Sequence, residues 1–129
     1  METQSDFWGE IQQSDVRPPV AILREQAALL GAKTNNLIEA RVDTSPDINE
    51  LGETTESFHY SFNLVVPALE FYRYCLFTIR HGIGLYPVKV EYPYKELKTE
   101  EEFRDWLRQR LSSSETKRII GNLLVLVNS

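Results

Sequence analysis

Side chains suited to metal binding and redox chemistry are scarce in this chain of 129 residues, which has one cysteine and two histidines. A single cysteine excludes an internal disulfide, and the apolar neighbours of Cys75 predict a small buried side chain in a reducing compartment. The ligand spacings typical of zinc sites are missing as well. We therefore expect neither a resident metal nor a cofactor.

Long apolar runs and an excess of basic residues are also missing. No run approaches the ~18 apolar residues that cross a bilayer, and no signal-peptide pattern opens the sequence. The net charge is −5, whereas binding to nucleic acid by counterion release requires clustered Lys and Arg. These absences predict a soluble cytoplasmic protein that binds neither membranes nor nucleic acids.

Motifs of known catalytic sites are absent too. No nucleophile elbow, glycine-rich phosphate loop or metalloprotease helix motif occurs in the sequence. Nucleophilic catalysis requires a nucleophile held by a base, and no such pair stands at a readable spacing. We therefore expect a protein that is not an enzyme. Active sites also assemble from distant segments, so an enzyme stays open as the alternative.

Aromatic residues, by contrast, are concentrated: eight of the fourteen lie between Phe58 and Glu91. Alternation of apolar and polar residues over 58–66 predicts a strand with one buried face. The run YRYCLFTIR is apolar on both faces, which predicts an interior strand covered on both sides. Pro87 lies in a last strand-like run, LYPVKVE, and predicts an edge or bulge position for that run.

Helical spacing precedes and follows this aromatic segment. The run PVAILREQAALLGA predicts a helix that ends at Gly31, and LIEARVDT then alternates as a strand with a charged outer face. Thr99 and Glu102 form a capping box at the start of a second helix, whose buried stripe includes Trp106. A third helix follows SSSETKR and ends in LLVLV, a run that is also compatible with a strand.

Two stretches have few apolar residues to anchor them. Residues 1–15 are expected to be partly disordered or to form one short helix, SDFWGEIQQSD. In that helix we expect Phe7 and Trp8 to pack onto the domain; the alternative is an exposed docking pair. Residues 44–57 hold four carboxylates, a proline and a glycine without periodicity, and they predict a mobile acidic loop.

Together these patterns predict one α+β domain over residues 1–129. We expect a four-stranded, mainly antiparallel meander sheet packed with one N-terminal and two C-terminal helices. Because YRYCLFTIR is apolar on both faces, either the helices cover both sides of the sheet or a second copy of the chain covers one of them.

Arginines interleave with tyrosines and a histidine in the aromatic segment. The candidate binding residues are Tyr72, Arg73, Tyr74, Arg80, His81 and Tyr86. Such side chains at a sheet edge can hold an anion or a protein partner. In the alternative interpretation, which we favour, the tyrosines are half-buried sheet residues and the arginines pair with acids such as Glu70 or Glu91.

The two histidines depend on the register of the sheet. If Val66 faces Tyr72, His59 and His81 are diagonal neighbours on one face and close enough to share a metal. A slip of one residue places them on opposite faces. Since no third ligand is fixed by spacing, we do not predict a metal site.

Two classes of function are compatible with these patterns. The first, which we prefer because catalytic spacings are absent, is a small non-catalytic interaction protein, either a homodimer or a stoichiometric partner-binding protein. The alternative is a small-molecule (anion) binding protein or an enzyme whose site is built from the Arg, Tyr and His residues of the sheet. A closed pocket that gathers Arg80, His81 and Tyr86 would favour the alternative.

Overall fold

The computed structural model describes residues 5–129 and contains a single antiparallel sheet between an N-terminal and two C-terminal helices. Its elements, in chain order, are α1 (Pro19–Lys33), β1 (Glu39–Ile48), β2 (Thr54–Val66), a short 3-10 turn (Pro67–Leu69), β3 (Tyr72–His81), β4 (Val88–Val90), β5 (Lys95–Leu97), α2 (Glu100–Leu111) and α3 (Ser114–Val127). The strands pair in the order β1-β2-β3-β4-β5. The predicted α+β meander is confirmed, with five strands in place of four.

One face of the sheet is covered by helices and the other is open. The covered side, which we call the helix face, carries the buried β2 residues Tyr60, Phe62, Leu64 and Val66. The opposite side, the open face, has no helix of residues 5–129 packed on it and carries His59, Ser61, Asn63 and Val65, because successive side chains of a strand point to opposite faces. Asn63 and Val65 are nevertheless buried, at 3% and 1% exposure. The helices complete the core with Ile22, Leu23, Phe103, Leu107 and Leu123. Burying each large apolar side chain contributes about 1.5–3 kcal/mol to folding.

A bulge in β3 decides which of its side chains meet the helices. Phe62 pairs with Phe77 and the next residue, Asn63, pairs with Cys75, so Leu76 has no partner on β2. An extra residue in one strand shifts the alternation of faces by one. As a result, Leu76 and Phe77 are both buried, and Cys75 is exposed.

This bulge overturns two predictions. The sequence predicts a strand that is apolar on both faces, but the bulge gathers the large apolar side chains on the helix face and leaves Arg73, Cys75, Thr78 and Arg80 on the open face. The prediction of a buried Cys75 is wrong for the same reason. Because the open face is mostly polar, the apolar surface expected to drive self-association through the sheet is missing. Dimerisation itself stays a prediction.

A side chain from α2 holds the bulge. Arg110 donates hydrogen bonds to the carbonyl oxygen of Leu76 at 2.9 Å and to the hydroxyl of Thr116 at 2.6 Å. Thr116 is 1% exposed, and its hydroxyl lies 2.7 Å from the carbonyl oxygen of Arg110. The backbone N–H of Thr116 donates to Ser113, the N-cap of α3, at 3.1 Å. One guanidinium therefore joins the sheet, the end of α2 and the start of α3.

Helix α2 begins where the sequence predicts. The hydroxyl of Thr99 accepts a hydrogen bond from the backbone N–H of Glu102 at 3.1 Å, at the positive end of the helix dipole. Trp106 is half-buried and meets the ring of Phe77 edge-on, with 4.9 Å between the ring centroids. The predicted cap and the predicted packing of Trp106 are confirmed, and the run LLVLV is helical as expected.

The N-terminal segment is extended where a short helix is predicted. Residues 5–18 contain no helix, and Phe7 and Trp8 are 94% and 81% exposed. Gly9 has a φ of 66°, a left-handed conformation that interrupts a helix. The predicted helix and the predicted packing of Phe7 and Trp8 are therefore wrong. Residues 1–4 of the expected disordered terminus lie outside the described residues.

The expected acidic loop is mostly a hairpin. Strand β1 extends to Ile48 and β2 starts at Thr54, so residues 49–53 connect them. Ser45 pairs with His59, deep inside the range that the sequence predicts as a loop. The threonines and serines of this stretch are compatible with strands, and its proline is tolerated because β1 is an edge strand.

Two element boundaries also differ from the prediction. Strand β4 is interior, because β5 pairs with its outer side, and Pro87 precedes β4 without having to donate to the ladder. Helix α1 continues past Gly31 to Lys33, and the chain turns through Asn35 and Asn36, whose φ values are 52° and 61°. Asparagine tolerates the left-handed conformation better than most residues, so Asn35 and Asn36 make the turn that the sequence predicts at Gly31.

Replacing Arg110 with Ala removes the partner of the Leu76 carbonyl oxygen. We expect the free energy of unfolding to fall by about 1–3 kcal/mol, because a buried polar group without a partner keeps its desolvation cost. The matched control is Arg118→Ala, an exposed arginine of α3 that should change stability by less than ~0.5 kcal/mol. Urea unfolding measures both, and equal midpoints for the two variants would contradict the role assigned to Arg110.

Candidate functional site

The six candidate residues separate into two groups at opposite ends of β3. Tyr72, Arg73 and Tyr74 begin the strand, about 20 Å or more from the other end at ~3.3 Å per residue. Arg73 donates to Asp43 at 2.6 Å on the open face. Tyr72 is exposed, and Tyr74 packs half-buried against the core. Tyr72, Arg73 and Tyr74 therefore have the contacts of ordinary sheet residues and do not form a binding site together.

Arg80, His81 and Tyr86 are brought together at the other end. They line a recess of about 400 Å³, completed by Ser57, Gly82, Pro87 and Lys89, which we call the β3–β4 recess. Arg80 and Lys89 face each other across the ladder, and neither forms an ion pair within residues 5–129. Lys89 also lies opposite Glu96 of β5, so this end of the open face has mixed charge.

His81 is a core residue of this recess. It is 4% exposed, and its ring stacks on Phe58 and Tyr60 with centroid distances of 5.3 and 5.6 Å. Its Nδ1 lies 2.8 Å from the carbonyl oxygen of Gly82, which can only accept, so Nδ1 carries the proton. Nε2 is buried and has no hydrogen-bond partner in the described part of the chain. His81 thus packs as an aromatic side chain, with Nδ1 bonded to the backbone and Nε2 facing the protein interior without a partner among residues 5–129.

Tyr86 is also engaged in packing. Its hydroxyl donates to the backbone carbonyl oxygen of Arg17 at 2.9 Å, which ties the start of α1 to the recess. Burial, followed by the nearby carboxylate of Glu100, raises the pKa of Tyr86 to about 12. Tyr86 and His81 are therefore both held in place by packing and by hydrogen bonds to the backbone.

The bulge also places the two histidines on opposite faces. His59 pairs with Arg80, and Phe58 pairs with His81. The register with Val66 opposite Tyr72 is observed, but the extra residue in β3 shifts every pair beyond it. The arrangement in which two histidines share a metal is therefore not formed. The described residues contain no group of three or more metal-binding side chains.

The open face carries a row of polar contacts that sequence reasoning missed. The hydroxyl of Ser45 lies 2.7 Å from Nδ1 of His59, and Nε2 of His59 lies 3.6 Å from Glu91. Glu91 also accepts a hydrogen bond from Thr78 at 3.1 Å. These residues come from β1, β2, β3 and the end of β4, so their proximity follows from strand register.

Serine, histidine and a carboxylate in a row have the composition of a catalytic triad, but the surroundings differ. Acyl transfer requires two or more N–H donors that converge beside the nucleophile. Ser45 lies in an extended strand, where successive N–H groups point in opposite directions. Cys75, on the same face, is no better a nucleophile: although its side chain is exposed, partial desolvation by its neighbours raises the pKa of the thiol. We interpret the row as stabilisation of the open face.

A larger cavity lies between the helices and the helix face. Its volume is about 560 Å³, within the range of roughly 300–1,000 Å³ typical of small-molecule sites. Phe62, Leu64 and Leu76 of the sheet form its floor. Its apolar wall residues are Ile22, Leu29 and Leu30 from α1, Leu107 and Leu111 from α2, and Ile120 and Leu124 from α3. We call this cavity the helix cleft.

Every charged side chain that lines the helix cleft is a cation: Lys33, Arg104, Arg108 and Lys117. Arg104 and Arg108 are each paired with a carboxylate of α2 that lies outside the lining, at 2.9 and 3.0 Å. Lys33 and Lys117 form no ion pair within residues 5–129, and they approach from different walls, α1 and α3. A chain of net charge −5 therefore surrounds a positively charged cleft.

Apolar side chains of the cleft remain partly exposed. Leu29 is 52% exposed, and Leu30, Ile120 and Leu124 are half-buried. Helix α1 packs mainly on β1 and α2 packs near β5, and the cleft lies between them, with its exposed apolar surface on the helices and not on the buried strands. Contiguous apolar surface that a monomer leaves open marks a binding site.

Sequence reasoning assigns Leu30, Leu107 and Leu111 to buried helix stripes, and it reads Arg104, Arg108 and Lys117 as solvated helix faces. The cleft joins parts of α1, β2, β3, α2 and α3, and no linear spacing connects them. One signal was present in α3, whose apolar residues exceed what one buried stripe requires. Val125 and Leu126 add to that stripe and are 65% and 55% exposed.

Comparison with protein-family models, curated proteins and solved structures finds no match to this chain. Within the described residues, the helices are too short or too polar to cross a bilayer. Functional inference therefore depends on the geometry of the cleft and the recess.

Replacing Tyr86 with Phe should produce a stability deficit that shrinks at alkaline pH. The folded protein favours the neutral phenol of Tyr86, because its pKa is about 12 there and about 10 in the unfolded chain. The stabilisation that Tyr86 gives the parent is therefore complete below about pH 10 and is lost as the pH rises towards 12. Urea midpoints of parent and variant at increasing pH measure the difference. Tyr92→Phe, a change at a 92% exposed tyrosine, is the control and should show no such trend. A constant difference between parent and Tyr86→Phe would contradict the raised pKa.

Proposed function

We propose that this protein is a non-catalytic binding protein whose helix cleft holds an amphipathic small molecule with an apolar body and an anionic group. The observation that carries this proposal is the composition of the cleft. It combines about 560 Å³ of space, an apolar floor and walls, and charged side chains of one sign. The proposal keeps the small-molecule alternative raised by the sequence but replaces the Arg, Tyr and His residues of the sheet by residues of the helices.

The apolar body of such a ligand would lie on Phe62, Leu64 and Leu76. Removing apolar surface from water contributes about 25 cal/mol per Å². Because the three floor residues are already at most 6% exposed, the partly exposed wall residues Leu29, Leu30, Ile120 and Leu124 would supply most of the affinity. Leu29 and Leu124, which are partly exposed to solvent, would be covered by the same ligand. This arrangement favours an elongated hydrocarbon chain over a compact polar molecule.

The anionic group would lie between Lys33 and Lys117. Neither lysine has a carboxylate partner within the described residues. An anionic ligand group could therefore pair with both lysines without breaking an existing ion pair. Each exposed ammonium contributes only about 0.2–1 kcal/mol, so these charges orient the ligand and select its sign more than they add affinity.

The lining of the cleft also supports binding over catalysis. Among the described residues, the lining contains no histidine, cysteine, aspartate or glutamate, the side chains that most often transfer protons near neutral pH. The hydroxyl of Ser112 is bonded to the carbonyl oxygen of Arg108 at 2.6 Å, and that of Thr116 is bonded to Arg110. The cleft therefore has no activated nucleophile.

Titration calorimetry with dodecanoate and with dodecanol, its neutral counterpart of equal length, tests the proposal. We expect saturable binding of both, with dodecanoate the tighter ligand. Changing Lys33 and Lys117 together to Glu should weaken dodecanoate binding by about tenfold and leave dodecanol binding nearly unchanged.

The matched control changes Lys98 and Arg118 together to Glu. Both are exposed, lie outside the cleft and alter the net charge by the same amount. This control should retain dodecanoate affinity within about twofold. Absence of saturable binding for either ligand, or equal losses in the two double variants, would refute the proposed function.

A further inference from the structure

We propose that the N-terminal segment, residues 5–16, docks into the helix cleft of a second copy of this chain. The inference depends on the proposed function, since it assumes that the cleft accepts apolar bodies with negative charge. It adds a specific protein partner and a specific ligand segment to that cleft.

The N-terminal segment has the chemistry of an interface anchor. Phe7, Trp8 and Ile11 are 94%, 81% and 77% exposed, although large apolar side chains usually pack when a surface is within reach. Aromatic residues of this kind dominate binding energy at protein interfaces. Trp8 is further held in a local turn, because its backbone N–H donates to the side chain of Asp6 at 2.9 Å.

The charges of the segment complement those of the cleft. Residues 5–16 carry Asp6, Glu10 and Asp15 and contain no lysine or arginine. The cleft carries Lys33 and Lys117 without ion-pair partners within the described residues. An acidic segment with three large apolar side chains therefore matches an apolar floor with cations on its walls.

The base of the segment directs it away from the cleft of its own chain. The side chain of Arg17 forms an ion pair with Glu25 of α1, and its carbonyl oxygen accepts a hydrogen bond from Tyr86. Pro18 and Pro19 follow, and proline restricts both its own φ and the residue before it to extended conformations. In the structure the segment does not enter the cleft of its own chain, which lies along α1 from Ile22 to Thr34: none of its residues lines that cleft, and its large apolar side chains are exposed.

A second copy meets these constraints. Each chain has one segment and one cleft, so two chains related by a two-fold axis can exchange segments and satisfy both clefts at once. The apolar side chains of the segment and the partly exposed leucines of the cleft would be buried in the same contact. This interface uses the helix side of the molecule and leaves the polar open face in solvent.

Light scattering after size exclusion of the full chain, over a range of micromolar concentrations, tests the exchange. We expect a mass of about 30 kDa at the upper end, twice the 15.0 kDa of one chain. The variant with Phe7 and Trp8 both changed to Ser should be monomeric, and so should the variant with Lys33 and Lys117 both changed to Glu. The variant with Lys98 and Arg118 both changed to Glu should remain dimeric.

A charge exchange separates a specific contact from damage to the cleft. Adding Asp6→Lys and Glu10→Lys to the Lys33 and Lys117 double variant restores opposite charges and should restore the dimer. In addition, a fluorescein-labelled peptide of residues 5–16 should bind the full chain that carries the two Ser changes, and dodecanoate should displace it. The Lys33 and Lys117 changes, made in that same chain, should weaken peptide binding by about tenfold.

Three outcomes would overturn the inference. They are a parent chain that is monomeric at every concentration, a dimer that survives the two Ser changes, and a peptide that fails to bind. A monomeric parent whose Ser variant still binds the peptide would mean that the segment occupies its own cleft. If dodecanoate still binds in the cleft when the exchange fails, the proposed function stands and the segment exchange alone is refuted.

Discussion

The hydrogen bond from Arg110 to the carbonyl oxygen of Leu76 is the contact on which the arrangement of sheet and helices depends. The bulge in β3 leaves Leu76 without a partner on β2, and a buried carbonyl without a partner costs about 1–3 kcal/mol. Arg110 supplies that partner and contacts Thr116 as well, so the end of α2 and the start of α3 are located relative to the bulge. The same extra residue turns Leu76 towards the helices, where it becomes part of the cleft floor.

The two faces of the sheet consequently differ in kind. The helix face gathers the large apolar side chains of β3 and leaves a cleft between helices that pack towards opposite edges of the sheet. On the open face, Asp43 pairs with Arg73, and His59 lies between Ser45 and Glu91. Polar groups that are already paired in this way contribute little to docking. The helix side of the molecule is thus suited to apolar ligands, and the open face of the sheet presents mainly polar side chains.

Charge is segregated along the chain and again in space. From position 95 onward the chain holds seven of its fourteen basic residues but six of its nineteen acidic ones. Helices α2 and α3 carry Arg104, Arg108 and Lys117 into the cleft, while the acidic side chains of α2 pair on its outer surface. The N-terminal segment is acidic and exposes large apolar side chains, so its charge is opposite in sign to that of the cleft.

Local patterns were enough to predict much of this fold, because caps and periodicity act within a few residues. The Thr99 cap predicted the start of α2, the 3.6-residue spacing predicted all three helices, and the alternation over 58–66 predicted β2 from Phe58 onward but not its first four residues. The short strand β5 was not predicted, because a run of three residues is too short to show an alternating pattern. The bulge at Leu76 could not be read from β3, since it depends on pairing with β2 and on a guanidinium 34 residues away. Tertiary structure alone therefore decided that Cys75 faces solvent, that His59 and His81 lie apart, and that residues of five elements form one cleft, because each of these follows from contacts between segments distant in sequence.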